Sequence, residues 1–378
     1  MTALTFVLAP DSFKESMTAV QACQAMQRGI HQILPNAQCI HAPMADGGEG
    51  TVDALIAALN GTRIACQVMG PLPTQQISTY FGLVDAGQTA VIEMAKANGI
   101  DLLAPEQRNP LFTTTYGTGQ MIRQALDSGV TKIIVGLGGS VTNDGGAGMA
   151  QALGAKLLDQ SGNQIGYGGG QLHQIEQIDL RHLDPRLAEV DIIIASDVTN
   201  PLCGENGASQ VFGPQKGASP DMVKQLDTNL AHFAQLVEAQ FKIHVKHVAG
   251  AGAAGGLGFG LMAFAGAHIQ SGAALIIHEI GLAEKIAQAD YVLTGEGSID
   301  FQTKFGKTPW AVTQVAKILN KPVIAFAGRI GEGVEALLQE GFSHTMGINE
   351  PDCDLQTALK NAEKNLETTC QKVVAGWI

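Results

Sequence analysis

The chain has 378 residues, which is more than one ordinary hydrophobic core holds, so its length predicts two domains. Hydrophobic residues make up 45% of the sequence and charged residues 15%, a composition typical of a globular protein and unlike that of a disordered or fibrous one. The formal net charge of -12 disfavours nucleic acid as a partner, because binding to a phosphate backbone requires a basic surface.

Targeting signals and cysteine patterns give no indication of an exported or membrane protein. The N-terminal sequence runs directly into a strand pattern and lacks the basic and long apolar segments of a signal peptide. No uninterrupted apolar run approaches the ~20 residues that a membrane span needs. The six cysteines are scattered without a C-x-x-C pair, so neither a zinc site nor a disulfide framework is indicated. These features predict a cytoplasmic enzyme with reduced thiols, and they leave open whether it is a homo-oligomer.

The N-terminal part of the chain alternates strands with helices. An apolar strand at 4–9 precedes a helix that Ser16 or Thr18 caps and whose apolar residues recur at helical spacing. A weaker strand at 38–42 is followed by a polar, glycine-rich turn and by a second apolar helix. This is a β-α-β-α arrangement with polar loops where both strands end.

The pattern then changes to that of a different domain. Short strand-like runs at 63–69, 78–84 and 89–95 are separated by turn residues, which predicts antiparallel hairpins. The next predicted elements are a helix at 118–126, a strand at 132–135, a helix through Ala152, a strand at 190–195 and a long amphipathic helix at 222–241.

Regular alternation resumes near Tyr291 and continues to the end of the chain. The predicted elements are strands at 290–294, 323–327 and 344–348, followed in turn by helices at 308–319, 332–340 and 355–374. With the two N-terminal units they make five β-α units, as in a flavodoxin-like sheet of order 2-1-3-4-5 with the Tyr291 strand at its centre.

The predicted fold class is therefore α/β with two domains. A discontinuous flavodoxin-like parallel-sheet domain, residues 1–64 plus 285–378, carries an inserted mixed α/β domain, residues 65–284. The expected ligand site is a cleft between the two domains.

Polar side chains follow each of the three strands expected at the centre of the first domain. They are Asp11, Ser12 and Lys14; Asp46 and Glu49; and Glu296, Ser298 and Asp300 with the glycines Gly295 and Gly297. Parallel strands place such residues together at one edge of the sheet. Carboxylates that hold Mg²⁺, with a lysine and backbone N–H groups that hold phosphate, suit phosphoryl transfer. Taken singly, each carboxylate is as well explained as a helix cap or turn residue.

A glycine-rich loop, 136–146, lies between a predicted strand and a predicted helix. Its successive backbone N–H groups are suited to hold an anion, with the Ser140 and Thr142 hydroxyls as additional donors. Close packing of a helix on a strand is the alternative explanation for the small residues. We favour phosphate binding by Gly138, Gly139 and Ser140, because the loop also contributes polar side chains.

The loop after the strand at 190–195 contains Asp197 and Asn200. An aspartate where a strand ends can accept a hydroxyl proton as general base, and a structural turn before Pro201 is the competing interpretation. Lys216, in the segment P-Q-K-G, is a candidate contact for phosphate or for a carboxylate substrate.

Two segments of the chain resemble nucleotide-binding motifs. The triplet Gly306-Lys307-Thr308 resembles the end of a P-loop, but the earlier glycine that the motif requires is Phe301, so the motif is rejected. The segment 250–255 matches G-x-G-x-x-G after an expected strand, which leaves a NAD(P)-dependent dehydrogenase of a small hydroxy acid as the alternative function. A non-catalytic binding protein fits poorly, because neither repeats nor low-complexity segments occur.

Several segments together carry a family resemblance. They are P-D-S-F-K-E-S at 10–16, A-D-G-G-E-G-T at 45–51, G-L-G-G-S-V-T-N-D-G-G-A-G at 136–148, S-D-V-T-N-P-L at 196–202, V-F-G-P-Q-K-G-A at 211–218, G-A-G-A-A-G-G-L-G at 250–258 and L-T-G-E-G-S-I-D-F-Q-T at 293–303. In these segments the sequence resembles the type-1 glycerate kinases, and the resemblance runs nearly end to end.

The resemblance implies ATP-dependent phosphorylation of D-glycerate, with 2-phosphoglycerate as the product. Mg²⁺ is the cofactor expected from the clustered carboxylates. The resemblance also implies a flavodoxin-like domain with an inserted α/β domain. Asp197 is expected to act as the base and Lys14 as a catalytic contact to an anion. The other expected contacts are Ser12, Asn200 and Lys216 for the substrate, Gly138, Gly139, Ser140, Gly252, Gly255, Gly295 and Gly297 for the nucleotide and its phosphates, and Asp46 and Asp300 for Mg²⁺.

Overall fold

The computed structural model describes residues 3–350 and 352–376. The chain divides into two compact units. Unit 1 comprises Met1–Asp46, Asp53–Asn60 and Ala273–Ile378, and unit 2 comprises Gly47–Val52 and Gly61–Gly272. Unit 1 is therefore built from three separate stretches of the chain. The domain limits predicted from the sequence, 1–64 plus 285–378 and 65–284, stay a proposal.

The strands are numbered β1 to β13 in chain order. They are β1 Thr5–Leu8, β2 Gln38–His41, β3 Thr62–Met69, β4 Gln76–Val84, β5 Thr89–Glu93, β6 Lys132–Gly136, β7 Lys156–Leu158, β8 Gln177–Asp179, β9 Asp191–Ala195, β10 His268–Gln270, β11 Tyr291–Ile299, β12 Val323–Ile330 and β13 His344–Gly347.

The α-helices are numbered in the same way. They are α1 Ala19–Ile33, α2 Thr51–Leu59, α3 Ala95–Asn98, α4 Tyr116–Asp127, α5 Ala147–Ala152, α6 Ala208–Phe212, α7 Pro220–Phe241, α8 Ala253–Ala265, α9 Gly272–Glu279, α10 Leu282–Ala287, α11 Thr308–Ile318, α12 Glu335–Gln339 and α13 Leu355–Ala375.

The described part of unit 1 contains a five-stranded parallel sheet of order β13-β12-β11-β1-β2. Numbered within this unit, the order is 2-1-3-4-5 with β11 at the centre, so the predicted flavodoxin-like topology is confirmed. Phe6 and Leu8 of β1 share a face, as alternate strand residues do, and pack with Met26 of α1 and Leu366 of α13 in one apolar core. Thr18 caps α1: its Oγ1 accepts a hydrogen bond from the Gln21 backbone N–H at 3.2 Å.

The described part of unit 2 contains a mixed six-stranded sheet of order β10-β9-β6-β5-β4-β3 and a small sheet of β7 and β8. Strands β3, β4 and β5 pair antiparallel, as the turn residues between them predict, whereas β5, β6, β9 and β10 are parallel. The predicted class, an α/β protein with a second mixed α/β domain, is therefore correct. The carboxyl ends of β6 and β9 open into the loops that contain Ser140 and Asp197.

Two local predictions were wrong. The strand near Tyr291 was expected to end at Thr294, but β11 continues to Ile299, because Gly295–Ile299 pair in register with Phe326–Ile330 of β12. The strand expected immediately before Gly250 is absent from the described residues: 242–250 form loop and turn.

Candidate functional site

A cluster of carboxylates lies at the carboxyl edge of the sheet of unit 1. Asp11 follows β1, Asp46 follows β2, and Glu296 is part of β11. Burial raises the pKa of Asp11 to about 6, and the negative charge of Asp46 adds to this effect. Thr308, at the start of α11, donates its hydroxyl to Asp11 Oδ2, and the Ser12 backbone N–H donates to Oδ1 at 2.6 Å. The cluster therefore concentrates negative charge that the surrounding protein neutralises only in part.

Lys307 is the cation of this cluster. Its Nζ lies 3.2 Å from Glu296 Oε1 and donates to the Ser298 carbonyl oxygen at 3.0 Å. Burial raises the pKa of Glu296 to about 7; Lys307 opposes this shift, and Asp11 and Asp46 add to it. Sequence reasoning assigned no role to Lys307 or Thr308. The only signal was the Gly-Lys-Thr triplet that was set aside together with the P-loop motif.

The donor set of the cluster suits Mg²⁺. All of its oxygens come from carboxylates, which are the hard ligands that this cation prefers. Within residues 3–350 and 352–376, no group of three or more His, Cys, Asp or Glu side chains is close enough to enclose a metal ion. Mg²⁺ typically takes one or two carboxylates from a protein and fills its other positions with water and substrate phosphate.

Replacement of Asp11 by asparagine is expected to stabilise the ligand-free protein at about pH 8 by roughly 3 kcal/mol. The pKa of Asp11 is higher in the folded chain than the ordinary value of 3.8, so between these two values the folded chain binds more protons than the unfolded chain. Ionisation of Asp11 therefore costs stability as the pH rises through about 6, and a neutral asparagine at this position would not bear that cost.

Urea unfolding at a series of pH values measures this effect. The increase in the free energy of unfolding caused by Asp11→Asn should vanish below about pH 4, where Asp11 becomes protonated in both the folded and the unfolded wild type. Asp352→Asn, in an exposed loop, is the matched control and should change nothing. A destabilised Asp11→Asn at about pH 8 would contradict the electrostatic account of the cluster.

The other residues of unit 1 that the sequence singled out lie on the same edge. Lys14 is exposed. Its backbone lies close to β11, since a Cβ added to Gly297 would be 3.5 Å from the Lys14 backbone nitrogen. Gly295 is required for close strand pairing, since a Cβ there would lie 2.4 Å from the Phe326 carbonyl oxygen. Asp300 Oδ1 accepts a hydrogen bond from the Gln302 backbone N–H at 2.8 Å and caps the short 3-10 helix Phe301–Phe305.

In unit 2, Lys216 lies beneath the glycine-rich loop. Its side chain is 1% exposed, and Nζ donates to Ser140 Oγ at 2.8 Å and to the Thr142 carbonyl oxygen at 2.7 Å. Burial lowers the pKa of Lys216 to about 7, although the nearby carboxylate of Asp144 favours its charged form. Lys216 therefore fixes the loop from below, whether or not it also contacts substrate.

Asp144 holds the same loop at its other end, a role that sequence reasoning did not assign. The carboxylate is buried and accepts hydrogen bonds from the Thr115 backbone N–H at 2.8 Å and from the backbone N–H groups of Gly146 and Gly148. Burial raises the pKa of Asp144, and these donors act against that shift. The loop is thus fixed by buried polar groups and not by apolar packing alone.

The glycines assigned to phosphate binding differ in their surroundings. Gly139 is exposed and has a φ of +72°, so its backbone is accessible in a conformation that favours glycine. Gly252 and Gly255 are buried. A Cβ on Gly252 would lie 2.3 Å from the Pro201 carbonyl oxygen, and a Cβ on Gly255 would lie 1.9 Å from the Thr142 carbonyl oxygen. Close packing thus accounts for both glycines, and their contact with nucleotide stays a prediction.

Asp197 and Asn200 lie in the loop that follows β9. Asp197 is exposed, while Asn200 Nδ2 donates to the Asn206 carbonyl oxygen at 2.9 Å. The Asn200 carbonyl oxygen in turn accepts from the Gly252 backbone N–H at 2.9 Å. The loop is therefore tied to the turn before α8 and presents Asp197 to solvent at the carboxyl edge of the second sheet.

Together, the two units define an α/β protein with polar, glycine-rich loops at the carboxyl edges of two sheets and a lysine among carboxylates at the first of them. The model of the glycerate kinase family matches residues 6–378. The chain belongs to the glycerate kinase family, whose enzymes phosphorylate glycerate.

Individual relatives agree with this assignment. The glycerate kinase of Haemophilus influenzae is 49% identical over 370 residues, 98% of each chain. The glycerate 2-kinase of Escherichia coli K12 is 48% identical over 372 residues, 98% of this chain and 97% of the relative. A crystal structure described as glycerate kinase 2 from Salmonella typhimurium LT2 is 45% identical and superposes with a TM-score of 0.89 over 99% of this chain and 98% of that one.

The alternative function and the prediction about membrane spans can now be compared with the structure and the relatives. A dehydrogenase is not supported, since the relatives are kinases and Gly250 does not follow a strand. Across residues 3–350 and 352–376, the structure has no helix with the length and apolar character that a bilayer crossing requires.

Proposed function

We propose that the protein transfers the γ-phosphoryl group of ATP to the 2-hydroxyl of D-glycerate and releases 2-phosphoglycerate and ADP. The observation that carries this proposal is the pairing of Lys307 with Glu296 beside Asp11 and Asp46 at the carboxyl edge of the unit 1 sheet. A lysine among carboxylates supplies what phosphoryl transfer needs, which is a fixed cation for phosphate oxygens and ligands for a divalent metal.

The proposed metal ligands are drawn from this cluster. Asp46, with Asp11 beside it, would hold Mg²⁺, and Asp300 stays a further candidate whose carboxylate caps the neighbouring helix in this conformation. When bound, Mg²⁺ neutralises charge on the phosphate oxygens. Ser12, Lys14 and the backbone of Gly295 and Gly297 are proposed to bind the donor phosphates or the substrate.

Loops of unit 2 supply the remaining proposed roles. Asp197 is proposed as the base that accepts the proton of the 2-hydroxyl while that oxygen bonds to the γ-phosphorus and the bond to the ADP oxygen breaks. Its exposure after the end of β9 makes the side chain accessible to a substrate. Asn200 and Lys216 hold their loops, and we retain both as proposed contacts to glycerate. Gly138, Gly139, Ser140, Gly252 and Gly255 are the proposed phosphate contacts on this unit.

Phosphorylation at the 2-position is supported by the similarity to a relative described as a glycerate 2-kinase. A carboxylate that accepts the hydroxyl proton directly is a recurring arrangement in phosphoryl transfer to alcohols.

A coupled assay of ADP release tests the function. Purified protein with Mg²⁺, ATP and D-glycerate should form ADP only when all are present, and L-glycerate serves as the stereochemical control. A parallel sample without ATP is followed for reduction of NAD. Glycerate-dependent ADP formation is the expected result. Reduction of NAD without ADP formation would overturn the proposal.

A further inference from the structure

Unit 1 contains a cavity of about 560 Å³ that none of the roles above uses in full. It opens where β1, β11, β12 and β13 end, and helix α13 forms one of its sides. Its volume lies in the range of pockets that enclose drug-sized ligands, from about 300 to 1,000 Å³. Glycerate, a three-carbon acid, is far smaller than such a ligand and would fill only a small part of this cavity.

Glycines on three neighbouring strands form the floor of the cavity. Gly297 of β11 lies opposite Gly328 of β12, and Gly347 of β13 lies opposite Ala327. A Cβ on Gly347 would meet only Ile330 Cγ1, at 3.5 Å, so open space lies above it. Strands without side chains leave a flat surface on which a planar ring can lie against the backbone.

Apolar side chains form the walls and cations border the cavity. Helix α13 contributes Leu355, Ala358 and Leu359. The charged residues of the lining are the two cations Lys14 and Arg329 and one carboxylate, Glu350. Lys14 and Arg329 are both exposed, so their charges are accessible to a ligand. An apolar cavity that two accessible cations border matches a ligand with an apolar ring and an anionic tail.

The position of the cavity specifies the direction of that tail. Lys14 is three residues from Asp11 in the loop after β1, and Gly297 adjoins Glu296 in β11. A ligand whose ring lies against Gly347 and α13 would therefore extend its anionic tail past Lys14 toward the carboxylate cluster. In open α/β sheets, ligands bind in this way beyond the carboxyl ends of the strands.

We infer that this cavity binds the adenine nucleoside of ATP, with the ring between the glycine floor and helix α13 and the phosphates at Lys14 and Arg329. This inference rests on the proposed function for the identity of the ligand, and it assigns the base of the nucleotide to unit 1 and not to the glycine-rich loops of unit 2.

Photoaffinity labelling with azido-ATP locates the base directly. The protein is irradiated with the analogue, digested and analysed by mass spectrometry, and excess ATP serves as the competitor. Labelled peptides should contain residues 328–330 or 347–362 and should lose the label when ATP is present. ATP-protected labelling confined to peptides from 136–148 or 250–258 would overturn the inference.

Filling the cavity provides an independent kinetic test. Ala358→Trp is expected to raise KM for ATP by about tenfold or more while KM for glycerate at saturating ATP stays unchanged. Gln356→Trp, two residues away on the exposed side of α13, is the matched control and should keep both constants. If Ala358→Trp fails to fold, Gly347→Val introduces a side chain into the same space, as the open surroundings of Gly347 permit.

The kinetic outcomes separate this inference from the proposed function. An unchanged KM for ATP in both folded cavity variants, or a rise confined to glycerate, would overturn the nucleoside site while the protein remained a kinase. Cavity labelling by azido-ATP without any phosphorylation of glycerate would support the nucleoside site and refute the proposed function.

Discussion

Replacement of Asp197 by asparagine is expected to lower kcat by about two to four orders of magnitude, because it removes the proposed general base for the 2-hydroxyl proton. The change is nearly isosteric, and Asp197 lies in an exposed loop, so the fold should be retained. Steady-state kinetics with saturating ATP and glycerate measure the loss, and the KM for ATP should change little because the carboxylate is assigned to the acceptor.

Asp191→Asn is the matched control for this variant. Asp191 begins the same strand, β9, at the end opposite to Asp197, and its carboxylate is 3.5 Å from the exposed ring of His268. Its replacement should leave kcat at the wild-type value. A near-normal kcat for Asp197→Asn would show that another group accepts the proton.

Replacement of Lys216 by methionine is expected to lower kcat/KM by about a hundredfold, since a small misplacement of a catalytic loop has effects of this size. The ammonium group connects Ser140 Oγ and the Thr142 carbonyl oxygen beneath the glycine-rich loop, and methionine keeps the length of the side chain but makes neither hydrogen bond. Lys224→Met, on the exposed face of α7, is the control.

The stability of Lys216→Met has a pH dependence that identifies the buried ammonium group. The pKa of Lys216 falls to about 7 in the folded chain from its ordinary value of 10.5, so between these values the unfolded chain binds more protons. Stability of the wild type therefore rises with pH across this window, by roughly 4 kcal/mol between pH 6 and 10 for this group, and Lys216→Met should lose that rise. Urea unfolding at about pH 6 and 10 measures the difference. An equal change in the free energy of unfolding between these two pH values in the wild type and in Lys216→Met would contradict a buried, titrating Lys216.

The topology of unit 1 could be predicted because its sequence leaves few alternatives. Buried strands that alternate with helices must form parallel, right-handed units, and the central position of the Tyr291 strand follows from their order. The antiparallel pairing of β3, β4 and β5 was equally predictable from the turn residues between them.

The extent of β11 could not be predicted, because the signals for a loop were local and the cause of the strand is not. Gly295 and Gly297 indicate a turn when they are taken alone. In the structure Gly295 is required by the close approach of β12, whose Phe326 carbonyl oxygen leaves no space for a Cβ there, whereas a Cβ on Gly297 would meet only the loop after β1, at 3.5 Å or more. The same residues thus favour a loop in isolation and a strand beside the right neighbour.

The composition of the carboxylate cluster was predicted in part. The positions of Asp11 and Asp46 after β1 and β2 follow from the parallel sheet, whereas Glu296 lies within β11. The hydrogen bond from Thr308 to Asp11 joins residues 297 positions apart in the chain, so no local pattern predicts it. Lys307 was overlooked for the same reason, since motif spacing reports only local arrangements. Burial of Lys216 was unexpected because lysines are rarely buried without partners, and its partners lie more than seventy residues away.

The central claim is that this protein transfers phosphorus from ATP to the 2-oxygen of glycerate, and phosphorus NMR of the isolated product tests it most directly. In 2-phosphoglycerate the phosphorus couples to a single carbon-bound proton, so a doublet is the result that this account predicts. A triplet, from coupling to the two protons of a 3-phosphate ester, would contradict the proposed acceptor hydroxyl and with it the assigned role of Asp197. Inorganic phosphate as the sole product would contradict the transfer itself.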